Sequence, residues 1–272
     1  MTKRSAPPRA VILAAGLGSR LHPLTEDRPK PLVTVHGRPI LHNALSHLGA
    51  MGVTDVALVV GYRKEAIQSS CGTDFHGIRI TYCESEVFEQ TGSAYSLWLA
   101  RHALLGGDAF ILEGDVFFEA DVLSALNDHP ADDVAAVAHF DERMSGSAVT
   151  LSDGGSVAEL RMNQTQANEN EELLFKTMNL MRLSGETLRQ ELVPALDRLI
   201  SGGATRSYVE QLLKLLIDEG RLNLQTARCG HLKWFEIDSH QDLQAAEAIF
   251  GPGAKAGAGT SAPAVSTPLS SA

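Results

Sequence analysis

Short apolar runs alternate with longer amphipathic stretches along the first half of the chain. Residues 10–15 and 56–60 are continuous apolar runs, too short for helices and typical of strands buried on both faces of a parallel sheet. Between them, residues 39–52 repeat apolar positions at three- and four-residue spacing, which predicts an amphipathic helix. This order predicts an α/β fold with a Rossmann-like, mostly parallel sheet and helices on both faces.

The same patterns predict the remaining elements. Strands are expected at 79–83, 109–112 and 134–138, and helices at 93–105, 120–127, 186–201 and 205–219. Between about 140 and 180 the pattern changes to apolar runs at 148–151, 157–160 and 174–183, joined by polar turns. We expect these runs to form an antiparallel addition to the sheet. A last strand and helix are predicted within 233–249.

Composition bounds the architecture. The 272 residues are 44% hydrophobic and 21% charged, which suits one large core, and we expect a single domain over residues 1–250. Residues 251–272 are Gly, Ala, Pro, Ser or Thr with three exceptions, so they predict a disordered tail. No signal-peptide or membrane-spanning pattern is visible, and the cysteines lack the spacing of a disulfide or zinc framework. These features favour a cytoplasmic protein.

The net charge narrows the range of partners. Thirty-three acidic residues against 23 Lys and Arg leave a formal charge of −10, which disfavours binding to nucleic acid or to an anionic membrane. A small anionic ligand would therefore need positive charge gathered locally.

A local cluster of positively charged residues follows the first strand, in the stretch LAAGLGSRLHPLTEDRPKPL of residues 13–32. Gly16 and Gly18 allow the backbone to approach a ligand closely and to point N–H groups at phosphate oxygens. Arg20, Arg28 and Lys30 follow within twelve residues, on a segment stiffened by three prolines. A third glycine at Rossmann spacing and the GK[ST] of a Walker loop are both missing, so neither of those motifs applies.

This stretch resembles the signature loop of the nucleotidyltransferases, which include sugar-1-phosphate nucleotidylyltransferases and phosphocholine cytidylyltransferases. The resemblance implies that Arg20 binds the β,γ-phosphates and that Lys30 lies over the reacting phosphates. It also implies a nucleotide-binding loop made by Leu13, Ala14, Ala15, Gly16, Gly18 and Ser19.

Two further motifs imply a Mg²⁺ site. Glu113-Gly114-Asp115 follows an apolar run, at the strand end where ligands bind in open α/β sheets, and it resembles the family's GD motif. The run WFEIDS at 234–239 resembles a second family motif, in which the aspartate matching Asp238 is the other metal ligand. Asp115 as a turn residue and Asp238 as a helix cap are the structural alternatives.

A polar, glycine-bearing loop precedes the helix predicted at 93–105. It resembles the family's base- and ribose-reading loop, which assigns nucleotide contacts to Gln90, Thr91, Gly92 and Ser93. An ordinary helix cap is the alternative, and both can hold together. Its sequence departs from the sugar enzymes and looks closer to cytidylyltransferases for small head groups, in which Tyr-Ser-Leu follows.

The element Lys176-Thr-Met-Asn179 resembles one found in cytidylyltransferases for phosphonates and related small phospho-compounds, where the lysine and the asparagine hold the acceptor. Glu236 is expected to serve as a substrate or supporting contact. For a choline head group, Tyr95 and Trp234 could supply a cation–π wall, although Tyr95 is also typical of a core position.

The resemblance implies a Mg²⁺-dependent transfer of CMP from CTP to a small phosphonate or phosphorylated head group, with Lys176 neutralising the acceptor. A sugar-1-phosphate nucleotidylyltransferase that uses dTTP or UTP is the alternative acceptor class. A non-catalytic nucleotide-binding module is an alternative of another kind, and the expected state is a monomer or a homodimer.

Overall fold

The computed structural model describes residues 8–141, 144–165 and 173–251. The strands are β1 Arg9–Ala14, β2 Thr34–Val35, β3 Arg38–Pro39, β4 Asp55–Val60, β5 Asp74–Phe75, β6 Ile78–Glu84, β7 Ala109–Glu113, β8 Val116–Phe118, β9 Val134–His139, β10 Gly146–Leu151, β11 Val157–Gln164, β12 Phe175–Leu183, β13 Gln225–Arg228 and β14 Trp234–Glu236. The helices are α1 Ile40–Ala50, α2 Lys64–Cys71, α3 Ser93–Leu99, α4 Arg101–Leu104, α5 Asp121–Asn127, α6 Gly185–Thr187, α7 Val193–Ser201, α8 Val209–Asp218 and α9 His240–Phe250.

The central sheet is mixed. Strands β6, β4, β1 and β7 lie side by side in that order and run parallel. Strand β12 joins β7 antiparallel and also pairs with β9 and β10, and β11 extends the sheet beyond β10. The antiparallel addition predicted between 140 and 180 is therefore confirmed, as is the Rossmann-like α/β class.

Helices cover both faces of the sheet because the buried strands carry apolar side chains on both sides. On β1, Val11 and Leu13 face a core shared with α3, α4, α7 and α8. Ala10 and Ile12 face the opposite core, which is shared with α1, α2 and α5. The carboxyl ends of the parallel strands remain open between these two layers.

Several elements differ from the sequence prediction. The helix expected over 93–105 is interrupted at Ala100, and the helix expected over 186–201 consists of α6, a π-helical turn at Leu188–Leu192 and α7. Helix α2 and strand β13 were not predicted; α2 has little apolar content, and its burial rests on Ile67 and Cys71.

The predicted tail lies outside the described residues apart from Gly251. None of the helices in the described ranges is long and apolar enough to cross a membrane.

One charged side chain is fully enclosed in the fold. Arg182 of β12 is 0% exposed, and its guanidinium donates to the carbonyl oxygens of Leu126 at 2.9 Å and Ala131 at 2.5 Å. These two bonds fix the end of α5 and the loop after it against the sheet.

The substitution Arg182→Met should lower the free energy of unfolding by about 2–4 kcal/mol, because the bonds from the buried guanidinium to the carbonyls of Leu126 and Ala131 are lost. Urea denaturation followed by circular dichroism measures the change. Arg79→Met is the matched control: this guanidinium is 73% exposed beside Asp55, so its loss should cost under about 1 kcal/mol. Equal effects of the two substitutions would contradict a structural role for Arg182.

Candidate active site

The loop after β1 lies where the carboxyl ends of three parallel strands meet. The Gly114 N–H, just after β7, donates to the carbonyl of Leu13 at 2.9 Å. The Tyr62 N–H, just after β4, donates to the carbonyl of Ala15 at 3.1 Å. The segments after β7 and β4 thus bind the carbonyls of Leu13 and Ala15. These bonds hold the start of the loop at the edge of the sheet.

The glycine-rich part of the loop presents free backbone donors. Gly16 is exposed, and within the described ranges its N–H and that of Gly18 have no hydrogen-bond acceptor. Gly18 has φ +64°, and a Cβ there would lie 2.7 Å from the Cβ of Lys30. The second glycine is therefore required by both backbone conformation and space, whereas a side chain at Gly16 would meet no protein atom within 4 Å.

Lys30 bridges the two predicted metal ligands. Its Nζ lies 2.8 Å from Asp115 Oδ2 and 2.5 Å from Asp238 Oδ1. The side chain is 12% exposed, and the two carboxylates are 20% and 24% exposed. Three segments separated by 85 or more positions thus converge on one ammonium group.

Backbone pairing explains why the two aspartates meet. Strand β14 runs antiparallel to β8 with Glu236 opposite Val116, and the Ile237 N–H donates to the carbonyl of Asp115 at 2.9 Å. Ser239 caps α9, and the Asp242 carboxylate accepts from the Asp238 N–H at 3.1 Å. The cap that sequence reasoning offered as an alternative therefore belongs to Ser239, and Asp238 remains directed at Lys30.

The charges in this cluster support one another. Burial lowers the pKa of Lys30, but Asp115 and Asp238 outweigh burial and hold that pKa above its usual value. Burial raises the pKa of Asp238, but Lys30 and Arg20 outweigh it and hold that pKa below its usual value. Both groups are therefore charged near neutral pH.

Of the remaining cations in the loop, one joins the cluster. Arg20 is 71% exposed and reaches Asp238 Oδ1 at 2.9 Å. Arg28 pairs with its neighbour Asp27 at 3.3 Å, and its side chain is half-exposed. Within the described ranges it makes no ion pair with Asp115 or Asp238.

A second cluster unites Lys176, Asn179 and Glu236. Lys176 Nζ lies 2.9 Å from Glu236 Oε2, and Asn179 Nδ2 donates to Glu236 Oε1 at 3.2 Å. The Lys176 side chain is only 5% exposed. Because Glu236 is two residues before Asp238, the second cluster adjoins the first.

A bulge in β12 makes this arrangement possible. Residues three apart on a regular strand face opposite sides, so Lys176 and Asn179 would diverge. Between Thr177 and Met181, three residues of β12 stand opposite one residue of β9, and Asn179 has φ +55°. The bulge turns Asn179 toward Glu236, where it also accepts from Thr177 Oγ1 at 3.1 Å.

Two carboxylates beside these clusters were not assigned by sequence reasoning. Burial raises the pKa of Glu113 well above its usual value, and Asp115, Glu210 and Glu236 add to the effect. Glu210, near the start of α8, accepts from Ser147 Oγ at 3.4 Å. Glu113 stands in a motif that the sequence displayed, whereas Glu210 lies inside an ordinary amphipathic helix and carries no sequence signal.

The predicted base-reading loop packs against the segment before α8. The Gly92 N–H donates to the carbonyl of Thr205 at 2.9 Å, and a Cβ at Gly92 would lie 2.2 Å from the carbonyl oxygen of Ser207. Ser93 Oγ accepts from the Val209 N–H at 3.0 Å. Gly92 and Ser93 therefore support the packing of the loop, and Thr91 Oγ1 donates to the carbonyl of Val87 at 3.0 Å, whereas Gln90 is exposed.

The predicted aromatic residues make packing contacts. Tyr95 packs on Trp98 with ring centroids 5.5 Å apart, and the Trp98 indole donates to Asp197 of α7 at 2.8 Å. Trp234 pairs with Phe118 across β14 and β8 and packs on the core beneath α1. The contacts of Tyr95 and Trp234 are therefore those of packing residues.

Comparison with known proteins identifies the family. The model of the nucleotidyl transferase family matches residues 9–145, which span the glycine-rich loop and Asp115. The chain belongs to the nucleotidyl transferases. The family expected from the motifs is thereby confirmed.

Two relatives of this nucleotidyl transferase differ in what they act on. Its sequence is 35% identical over 252 residues to the CMP-5'-(3-aminopropyl)phosphonate synthase of Streptomyces rubellomurinus, covering 92% of this chain and 40% of that protein. It is 32% identical over 211 residues to a UTP–glucose-1-phosphate uridylyltransferase of Haloferax volcanii, covering 72% of this chain and 85% of that protein. The chain thus spans less than half the length of the phosphonate synthase.

A solved structure shows the same fold. The CTP:phosphocholine cytidylyltransferase from Streptococcus pneumoniae is 22% identical and superposes with a TM-score of 0.74, covering 90% of this chain and 100% of that one.

Asn179, the bulge residue of this nucleotidyl transferase, provides a test of the backbone conformation on which the second cluster depends. Asn179→Ala should destabilise the protein by about 1 kcal/mol more than Asn179→Gly, because a non-glycine side chain in the left-handed region carries a steric cost that glycine avoids. Thermal unfolding of the two variants measures the difference. An alanine variant as stable as the glycine variant would show that the bulge does not hold this backbone conformation.

Proposed function

We propose that this nucleotidyl transferase moves CMP from CTP to a small phosphonate or phosphorylated head group and releases pyrophosphate. The observation that carries the proposal is the pair of adjoining clusters, Lys30 with Asp115 and Asp238, and Lys176 with Asn179 and Glu236. The first suits the phosphates of a nucleotide, and the second suits a compact anionic acceptor. The names of the phosphonate and phosphocholine relatives support the same choice.

The nucleotide is proposed to bind along the loop after β1. The N–H groups of Gly16 and Gly18, which have no acceptor within the described ranges, offer donors to phosphate oxygens, and the Arg20 side chain beside them is 71% exposed. Gln90, which is exposed, and its neighbour Thr91 are the proposed contacts to the base and ribose.

The residues of the first cluster fit a Mg²⁺ ion. Asp115 Oδ1 is buried and has no hydrogen-bond partner within the described ranges, so this oxygen has room for a cation. Two carboxylates with substrate phosphates are a common ligand set for Mg²⁺, and no larger group of metal-ligating side chains occurs in the described ranges. Asp115 and Asp238 would hold the ion, which would neutralise charge on the phosphates.

The chain's own residues have distinct roles in this mechanism. A phosphonate or phosphate oxygen is already an anion at neutral pH, so its attack on the α-phosphorus needs no general base. The difficulty is to bring two anions together, which is solved by positioning and by fixed positive charge. Lys30 and Arg20 would bind the nucleotide phosphates, and Lys176, held by Glu236, would bind the acceptor.

The first test of the mechanism removes charge without changing shape. Asp115→Asn and Lys30→Gln should each lower turnover by at least about 10²-fold, as expected for the loss of a positioned electrostatic group. Pyrophosphate release with CTP, Mg²⁺ and the acceptor measures the rate. Asp121→Asn, at an exposed position of α5, is the control and should keep the wild-type rate. A folded Asp115→Asn enzyme with wild-type turnover would refute the assignment.

The second test separates the two glycines of the loop. Gly16→Ala should leave the melting temperature unchanged but weaken CTP binding at least about tenfold, because the new methyl group would meet the ligand and no protein atom. Gly18→Ala should lower the melting temperature as well, since its Cβ would clash with Lys30. Thermal unfolding and calorimetric titration with CTP measure both quantities. Unchanged CTP affinity in Gly16→Ala would exclude this loop from nucleotide binding.

The acceptor is decided by direct assay. Pyrophosphate release is measured with CTP, UTP and dTTP against 3-aminopropylphosphonate, phosphocholine and glucose-1-phosphate. Preference for CTP with a small head group supports the proposal. Faster turnover of glucose-1-phosphate with UTP or dTTP would favour the sugar-phosphate function, to which the uridylyltransferase relative points. Nucleotide binding without pyrophosphate release from any pair would indicate a regulatory module.

A further inference from the structure

Two carboxylates near the acceptor cluster are not paired with a cation. Lys30 faces Asp115 and Asp238, and Lys176 faces Glu236. Within the described ranges, neither Glu113 nor Glu210 has a cation at ion-pair distance. An ionised carboxylate enclosed without a cation is costly, and a positive charge on a ligand would stabilise it.

Glu210 has the geometry to receive that charge. Its Oε1 accepts from Ser147 Oγ at 3.4 Å, whereas its Oε2 is buried and has no hydrogen-bond partner within the described ranges. Most buried polar atoms are hydrogen-bonded, so an enclosed carboxylate oxygen without a donor is an exception that needs an explanation. A donor supplied by the ligand would satisfy it.

Polar contacts connect Glu210 to the groups proposed to hold the acceptor. Ser147 O and Asn179 Oδ1 share the single hydroxyl hydrogen of Thr177, at 3.2 and 3.1 Å from its Oγ1. Asn179 then donates to Glu236, the partner of Lys176. Lys176 therefore marks the cationic, anion-binding end of this network, and Glu210 marks its opposite, cation-binding end.

The space beside Glu210 limits the size of the group it can receive. Glu210, Thr177 and Asn179 form the polar side of a cavity of about 20 Å³, whose other walls are apolar. A cavity of this volume holds one water-sized group. An –NH₃⁺ group is of that size and has three hydrogens for nearby oxygen acceptors, whereas a trimethylammonium group is several times larger and has none.

We propose that the acceptor is a zwitterion with a primary ammonium group, and that Glu210 binds this group while Lys176 binds the phosphonate or phosphate at the other end. The inference rests on the proposed function and narrows it to amino-bearing head groups. It assigns to Glu210 and Ser147 a role in choosing the acceptor, without a part in phosphoryl transfer.

The test compares an amine with its uncharged counterpart. Kinetics are measured with CTP and either 3-aminopropylphosphonate or butylphosphonate, in which a methyl group replaces the ammonium. The wild-type enzyme should have a KM at least tenfold lower for the amine. Glu210→Gln should raise that KM about 10- to 100-fold, the effect of losing a hydrogen bond between charged groups, and leave kcat and the KM for butylphosphonate nearly unchanged.

Controls separate recognition from folding. Glu65→Gln, at an exposed position of α2, should match the wild type throughout. Ser147→Ala should reduce the preference for the amine partially, because Glu210 loses one of its holders. If Glu210→Gln lowers the melting temperature and alters both substrates equally, Glu210 is a structural residue and the inference is wrong.

Two outcomes distinguish this inference from the proposed function. Equal wild-type use of butylphosphonate and the amine, or faster use of phosphocholine than of phosphoethanolamine, would overturn the ammonium site while leaving a cytidylyltransferase. Absence of pyrophosphate release from CTP with every phosphonate and phosphorylated head group would overturn the proposed function, and the inference with it.

Discussion

The contact of Lys30 with Asp115 and Asp238 is the interaction on which the rest of the site depends. It joins the loop after β1, the turn after β7 and the segment before α9, which are far apart in sequence. Without a cation between them, two part-buried carboxylates at this separation would repel each other and lose solvation. The net charge of −10 therefore coexists with a local positive centre, because the acidic residues of the site themselves hold the cations in place.

The two clusters are coupled through one short strand. Glu236 and Asp238 belong to the same segment, and the pairing of β14 with β8 sets both against the turn that carries Asp115. A shift of this strand would move the proposed acceptor group and the proposed metal ligands together. Such coupling suits a reaction in which two anions must be aligned, because their relative position is then fixed by backbone hydrogen bonds.

Sequence reasoning succeeded where chemistry and chain order coincide. The glycine-rich loop, Asp115, Asp238, Lys176 and Glu236 stand in local motifs, and the structure brings them together as expected. Tyr95 and Trp234 make packing contacts, and Gly92 and Ser93 contact the segment at the start of α8, so their predicted ligand contacts stay predictions. The sequence near a motif does not show whether an aromatic residue or a glycine contacts a ligand or a neighbouring loop.

The sequence by itself determined the α/β class, the alternation of strands and helices and the motifs that carry most of the charged residues of the site, because hydrophobic period and motif spacing are local properties. Tertiary structure alone decided that a bulge turns Asn179 toward Glu236 and that Glu210 of α8 comes beside the acceptor cluster. These features depend on strand register and helix packing between distant segments. Contacts between distant segments produce no periodic pattern in the sequence, so local sequence patterns could not predict them.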